Sequence, residues 1–349
     1  MKSMKAYDFK ISKGKVEFVC EFDTKDGNNR SDIYFELENE IIPSNDAIAL
    51  AVSTFAGTNY QELSIELEIS KKTKENISNF TKANIIAPVG KNEFLFEKRD
   101  SMILNFSGGF DSLAALSLMP SDTKLVAVDF GGWFDREREF FEKFKPYTLK
   151  TNFRQLGLDK NSWTFMGVGA ILYAEALNAK YNVFGTILEA TPMQFHKEPV
   201  AAKHADTHPF FDAGLKDVRY TNGLTEVGTA MVVSYYNPEL AEESLKSLSR
   251  PKTEKRYRKE LLLDIVCEKY QRSISFEKTE EPDRKVPFGK NFAVDFLCLY
   301  ILKNRGIEAA NGTVCDIPQD AMEFVKKHQL NFYERLNCEF VSGTTFPSN

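Results

Sequence analysis

The sequence predicts an α/β protein: a parallel sheet flanked by helices, preceded by a β-rich N-terminal domain and completed by a helical C-terminal segment. Three observations carry this. Apolar residues alternate with polar ones through the first hundred positions. From residue 100 on, short apolar runs alternate with stretches of helical spacing. Beyond residue 237 only helical patterns recur. Alternation marks half-buried strands, and strands interleaved with helices mark βαβ units. The expected domains are 1–98, 99–260 and 261–349.

The elements follow in order. Tyr7, Phe9 and Ile11 alternate, as do Val16, Phe18, Cys20 and Phe22 after the Lys13-Gly14-Lys15 turn. Ile33, Phe35 and Leu37 form a third run, and Leu63, Ile65, Leu67 and Ile69 a fourth. Such runs are expected in an antiparallel sheet. A short helix near Asp46 to Thr54 interrupts them, and Lys71 to Asn84 reads as a surface helix or loop. Met102 to Phe106 is a buried strand that ends in Ser-Gly-Gly, with a helix from Ser112 to Leu118 behind it. Strands are expected at Lys124–Phe130, Tyr147–Phe153 and Tyr181–Gly185, with helical spacing from Trp163 to Lys180. Helices follow at Pro238–Leu248, Thr253–Tyr270, Asn291–Asn304 and Pro318–Phe332. The charged stretch Ser273 to Lys290 reads as a loop.

The 349 residues carry 45 Lys+Arg against 50 Asp+Glu, a net charge of -5, which argues against holding nucleic acid by bulk charge. The 42% hydrophobic and 27% charged content excludes a disordered chain. Five cysteines, none in a CxxC pair, fit reduced thiols rather than a disulfide framework. The start MKSMKAYDFK has no apolar stretch, so no signal peptide is expected, and no apolar run is long enough to span a bilayer. A cytoplasmic protein without membrane contact is the expectation. Of the 29 Phe, many fall on alternating strand positions (Phe9, Phe18, Phe22, Phe35) or beside the later strands (Phe106, Phe110, Phe130, Phe184) and read as core, and Phe110 and Phe130 are the two that could line a nucleotide site.

The sharpest local signal is Ile103-Leu104-Asn105-Phe106-Ser107-Gly108-Gly109-Phe110-Asp111-Ser112. A strand runs into two glycines and then into a helix. The first amides of a helix lack intrahelical partners and face positive potential, so they suit an anion. Glycines let the backbone approach a phosphate without a Cβ in the way. Ser107 and Ser112 add hydroxyls. Asp111 beside phosphates makes sense as a partner of Mg²⁺.

This segment resembles the PP-loop, the SGGxDS signature of N-type ATP pyrophosphatases, over Ser107, Gly108, Gly109, Asp111 and Ser112. The resemblance covers about residues 100–235. It implies ATP and Mg²⁺ as cofactors, cleavage between the α- and β-phosphates, and an adenylated small-molecule substrate open to a nitrogen nucleophile. It further implies nucleotide contacts at the strand end Asp129 and Phe130, at the Gly185-Thr186 turn and near Glu189. From the residues alone, Asp129 is equally a turn residue, Glu189 a solvated carboxylate and Phe130 a core residue.

Phe110 stands where thiolating members usually carry Lys, and Lys2 stands where a glutaminase half would need Cys. The stretch Gly223-Leu224-Thr225-Glu226-Val227 is similar to the 7-cyano-7-deazaguanine synthase group. That group's Cys-Gly-x-Cys is replaced here by Pro287-Phe288-Gly289-Lys290, so no structural zinc is expected. The basic cluster Lys252, Lys255, Arg256, Arg258 and Lys259 is either a solvated helix face or a phosphate-capturing one. Lys255 and Arg256 are the expected catalytic cations, Arg256 for its planar fork. His196, Lys197, Lys203, His204, Asp206 and His208 form either a cationic lid or, through His204 and His208, a metal site. The expected function is ATP-dependent adenylation. The other reading is a non-catalytic ATP-binding or partner-docking module of a multi-protein system such as antiphage defence. A homodimer or a protein partner fits either.

Overall fold

The computed structural model describes residues 1–91, 99–190, 195 and 206–340. In chain order the main elements begin with β1 (Ser3–Ser12), β2 (Lys15–Thr24), β3 (Gly27–Leu37), α1 (Asn45–Ala56), β4 (Glu62–Ile65), α2 (Lys71–Thr81) and β5 (Asn84–Ile86). They continue with β6 (Ser101–Asn105), α3 (Phe110–Leu118), β7 (Lys124–Asp129), α4 (Asp135–Phe141), β8 (Tyr147–Thr151), α5 (Val168–Tyr173), β9 (Ala179–Val183) and β10 (Lys216–Asp217). The remainder is α6 (Glu226–Tyr236), α7 (Ala241–Leu248), α8 (Glu254–Lys269), β11 (Val286–Pro287), α9 (Phe292–Asn311), β12 (Val314–Cys315) and α10 (Gln319–Lys327).

The chain divides into two compact units. The first comprises Met1–Ser107, Asp122–Val183 and Asp206–Val218; the second comprises Gly108–Ser121, Phe184–Ala205 and Arg219–Asn349. The first unit is an α/β assembly around a ten-stranded, mostly parallel sheet of order β10-β9-β6-β7-β8-β3-β2-β1-β4-β5, compatible with a Rossmann-like fold. The strands β1 to β5 and β6 to β10 belong to this one sheet, joined where Phe35 to Leu37 of β3 pair antiparallel with Leu149 to Thr151 of β8.

The early strands differ in part from the antiparallel expectation. β1, β2 and β3 are an antiparallel meander, but β4 pairs parallel with β1, and β5 parallel with β4. Alternation reports half-burial and is silent on direction. The helix α2 between β4 and β5 decides it, because parallel neighbours require a crossover. The helical spacing from Trp163 to Lys180 is likewise divided. A 3₁₀ stretch Trp163–Gly167 leads into α5, and the strand β9 has already begun at Ala179.

Helices α1 and α2 show how burial reads from pattern. Ser44 caps α1 by accepting from the Ala47 amide (3.3 Å), and Ala47 through Ala56 are all buried, as expected of a helix apolar all round. Ser70 caps α2 (3.1 Å from the Thr73 amide), which buries only Thr73, Ile77 and Thr81, a single stripe at four-residue spacing. The phenylalanines form a continuous core ladder. Ring centroids lie 5.5 Å apart for Phe18–Phe35, 6.4 Å for Phe35–Phe55, 4.7 Å for Phe55–Phe153 and 5.6 Å for Phe130–Phe153. Such pairs add about 0.5–1.5 kcal/mol each beyond area burial.

The second unit packs α3 against α6, and α8 against α6, α7 and α9. No helix among the described residues is long and apolar enough to cross a membrane.

Candidate functional site

The site is built in the second unit around the start of α3. Gly108 has φ 78°, a left-handed conformation that glycine adopts without Cβ strain. Gly109 is the N-cap of α3 and brings no side-chain hydrogen bond of its own to the first turn of the helix. The Gly108 carbonyl accepts from Ser244 Oγ of α7 (2.6 Å), and Ser112 Oγ donates to the Gly109 carbonyl (3.0 Å). Both contacts hold the loop in shape. Gly185 lies so close to this turn that a Cβ on it would fall 2.5 Å from the Asp111 carbonyl carbon and the Ser112 nitrogen.

Asp111, in the first turn of α3, is the partly open end of a buried charge network. Lys259 Nζ of α8 contacts both its oxygens, at 3.2 and 3.1 Å, and Thr229 Oγ1 of α6 donates to Oδ1 at 2.8 Å. Lys259 also pairs with Glu226 Oε1 at 2.7 Å. Glu226 Oε2 accepts from Arg258 Nη1, and Arg258 Nε donates to Glu254 at 2.6 Å. The Lys259 side chain is 2% exposed and that of Asp111 26%. Burial outweighs the flanking carboxylates in pulling the Lys259 ammonium below its ordinary range. Arg258 is pulled to about 10 by the same cause.

Glu189 completes the cluster. It is 1% exposed, and its Oε1 accepts from the Glu226 amide at 2.7 Å, at the N-terminus of α6. Among the described residues its Oε2 has no hydrogen-bond partner, and neither has the buried hydroxyl of Thr186, one residue beyond Gly185. Burial pushes the Glu189 carboxyl up to about 8, the Asp111 charge adding to it and Arg258 and Lys259 opposing it. The proton-bearing form is the favoured one in the fold. The stability that Glu189 supplies is therefore fully present below its unfolded value and is lost as pH rises toward 8. Unfolding followed between pH 5 and 8.5 should show Glu189→Gln gaining on wild type steadily with pH. A constant difference across that range would refute the assignment.

The expected residues are distributed as follows. Gly108, Gly109, Asp111, Ser112, Gly185, Thr186 and Glu189 are all in the second unit, gathered around the α3 turn and the α6 N-terminus. Ser107 ends the first unit. Phe110 is fully buried, with the Lys259 ammonium 5.7 Å from its ring, and packs rather than facing outward. Asp129 and Phe130 belong to the first unit. Asp129 accepts from the Gly131 amide (2.8 Å) and from Arg138 (3.2 Å), the geometry of a turn-forming aspartate. Phe130 is a member of the core ladder and carries Arg154 5.1 Å from its ring.

Among the basic residues of α8, Lys255 is exposed and Arg256 is buried against Glu260 and the Glu277 carbonyl. Lys259 and Arg258 are the cations of the site instead. The signal for Lys259 was present: it stands one turn before Leu262 and Leu263 and two before Val266, the stripe that α8 buries. Glu226 and Thr229 had weaker signals, a helix-start acid and a mid-helix threonine. His196, Lys197, Lys203 and His204 lie outside the described residues. His208 is within the first unit, its Nδ1 2.8 Å from Asp212, and Asp206 lies beside Thr207, whose amide donates to Asp217. No group of three or more His, Cys, Asp or Glu suited to a metal occurs among the described residues.

Comparison of the chain with protein-family models, with curated proteins and with solved structures gave no match in any of the three.

Proposed function

We propose that this chain is a PP-loop ATP pyrophosphatase. In this reading an oxygen of a small-molecule carboxylate or amide attacks the α-phosphorus of ATP, the bond to the β-phosphate oxygen breaks, and pyrophosphate leaves. A deazapurine-like acid is the acceptor class the sequence resemblance favours. The observation that supports the reading is the N-terminus of α3 set directly behind Gly108 and Gly109, with the buried Lys259 and Arg258 close by. Anions are stabilised at such a helix start by its amides and its dipole.

The residues fit the nucleotide and one Mg²⁺. The hydroxyl of Thr186 and Oε2 of Glu189 are buried polar atoms beside the loop that lack a partner among the described residues. Asp111 is a carboxylate with an exposed edge, and Mg²⁺ is commonly held by one or two carboxylates together with substrate phosphates. Mg²⁺, when bound, supplies neutralisation of charge on the phosphates. The loop amides hold the departing pyrophosphate, Gly185 keeps the turn close-packed, and Lys259 balances the charge of Asp111 on the protein side. Glu189 in its protonated form adds no negative charge next to the phosphates.

Incubation with α-labelled ATP and candidate acids should yield AMP and pyrophosphate, and Asp111→Asn should lower pyrophosphate release by about 10²-fold or more. ADP and phosphate as the only products would overturn the mechanism. The second reading, an ATP-binding module without turnover, is favoured by one observation: both Asp111 oxygens are already engaged by Lys259 and Thr229. Binding of ATP with no pyrophosphate released for any acceptor would select it.

A further inference from the structure

The second unit carries a groove of about 260 Å³ away from the α3 turn, on the faces of α6 and α8 toward their C-terminal ends. Met231 and Tyr235, four residues apart on α6, form one side; Val266 in the last turn of α8 and Tyr270, the residue that caps that helix, form the other, with Tyr236 and Arg272 at the rim. The lining is largely apolar, yet Tyr235 is 60% exposed, Tyr236 55% and Tyr270 40%. Aromatic side chains, Met and Arg are the residues that interfaces favour and that dominate their energetics.

Arg272 gives the groove its charge. Its backbone is pinned by the end of α8: Gln271 adopts φ 52°, the Gln271 amide donates to the Glu268 carbonyl (3.3 Å) and the Arg272 amide to the Cys267 carbonyl (2.8 Å). That is a Schellman closure. The guanidinium lies 4.9 Å from the Tyr235 ring centre. Arg138, Arg154, Arg256, Arg258 and Arg305 each face a carboxylate, whereas among the described residues none pairs with Arg272. The nearby acid Glu334 is taken by Lys269, Tyr270 and Tyr300. A stacked guanidinium uses its face on the ring and keeps the N–H groups of its edge for a planar, two-oxygen acceptor.

We propose that this groove docks a short segment of a partner protein in which a large apolar side chain stands next to an Asp or Glu. The apolar side chain enters between Met231, Val266 and the tyrosines, and the carboxylate meets the edge of Arg272. A nucleic-acid strand would need a row of cations along its backbone, whereas the groove lining holds a single cation, Arg272.

A displayed library of random heptapeptides selected against the full chain tests this. The enriched peptides should pair Phe, Leu or Trp with an adjacent acid. Their affinity should fall at least tenfold for Arg272→Glu and for Tyr235→Ala, and by less for Arg272→Lys, which keeps the charge and loses the fork. Both side chains are exposed, so thermal unfolding should report folded variants; variants that unfold are replaced by Tyr236→Ala, read the same way. Peptides without acids, peptides indifferent to Arg272→Glu, or no enrichment would each overturn the proposal. Sedimentation showing a dimer that Arg272→Glu dissociates would also overturn it, assigning the groove to a second copy of the chain.

Discussion

Replacing Lys259 by Met is expected to cost about 3–5 kcal/mol of unfolding free energy, the scale for removing one partner of a buried ion pair. Lys259 is the only cation in contact with Asp111 among the described residues, and it shares Glu226 with Arg258. Met keeps the volume of the stem, so the loss is electrostatic rather than a cavity. Urea denaturation measures it, and Lys259→Met combined with Asp111→Asn should recover part of the loss, since the second change removes the carboxylate stranded by the first. A cost below 1 kcal/mol would mean that Asp111, with its exposed edge, is satisfied by solvent and that the network contributes little. On the proposed function, the Lys259→Met variant should lose pyrophosphate release beyond what its stability explains, when assayed well below its melting temperature.

Gly185→Ala should have the other large effect. The added methyl would sit 2.5 Å from the Asp111 carbonyl carbon and the Ser112 nitrogen and 2.7 Å from the Asp111 oxygen, all backbone atoms. No rotamer change relieves such a contact, so the first turn of α3 must shift. Overpacking of this kind costs about 1–3 kcal/mol. If the turn holds phosphates, a displacement near 1 Å should cost about 10²-fold in turnover. Melting temperature and ATP titration together read both effects. Unchanged ATP affinity in a variant that has lost stability would separate the turn's packing role from any role in binding.

How much of this was legible in residue order differs between elements. The junction from Met102 to Leu118 was readable, because a strand, two glycines and a helix leave few local alternatives. Phe110 and Phe130 were readable only as aromatic residues beside a site. Their burial comes from neighbours distant in sequence, Lys259 for one and Phe153 with Arg154 for the other. Around the start of α8, five basic residues within eight positions, Lys252 just before the helix and four on it, looked alike. Rotation of the helix turns Lys259 and Arg258 inward to the carboxylates, leaves Lys255 exposed and sends Arg256 to Glu260.

By itself the sequence determined what depends on local physics: which runs are strands or helices, where glycine relaxes a turn, and that a helix starts directly behind Gly108 and Gly109. Tertiary structure decided what depends on distant partners. It gave β4 and β5 their parallel direction and joined the early strands to the later ones through β3 and β8. It also brought Asp111, Glu189, Glu226 and Lys259 into one cluster across more than a hundred residues of chain. Hydrophobic pattern is a property of a segment, whereas a buried charge is tolerated only where the whole fold delivers its partner.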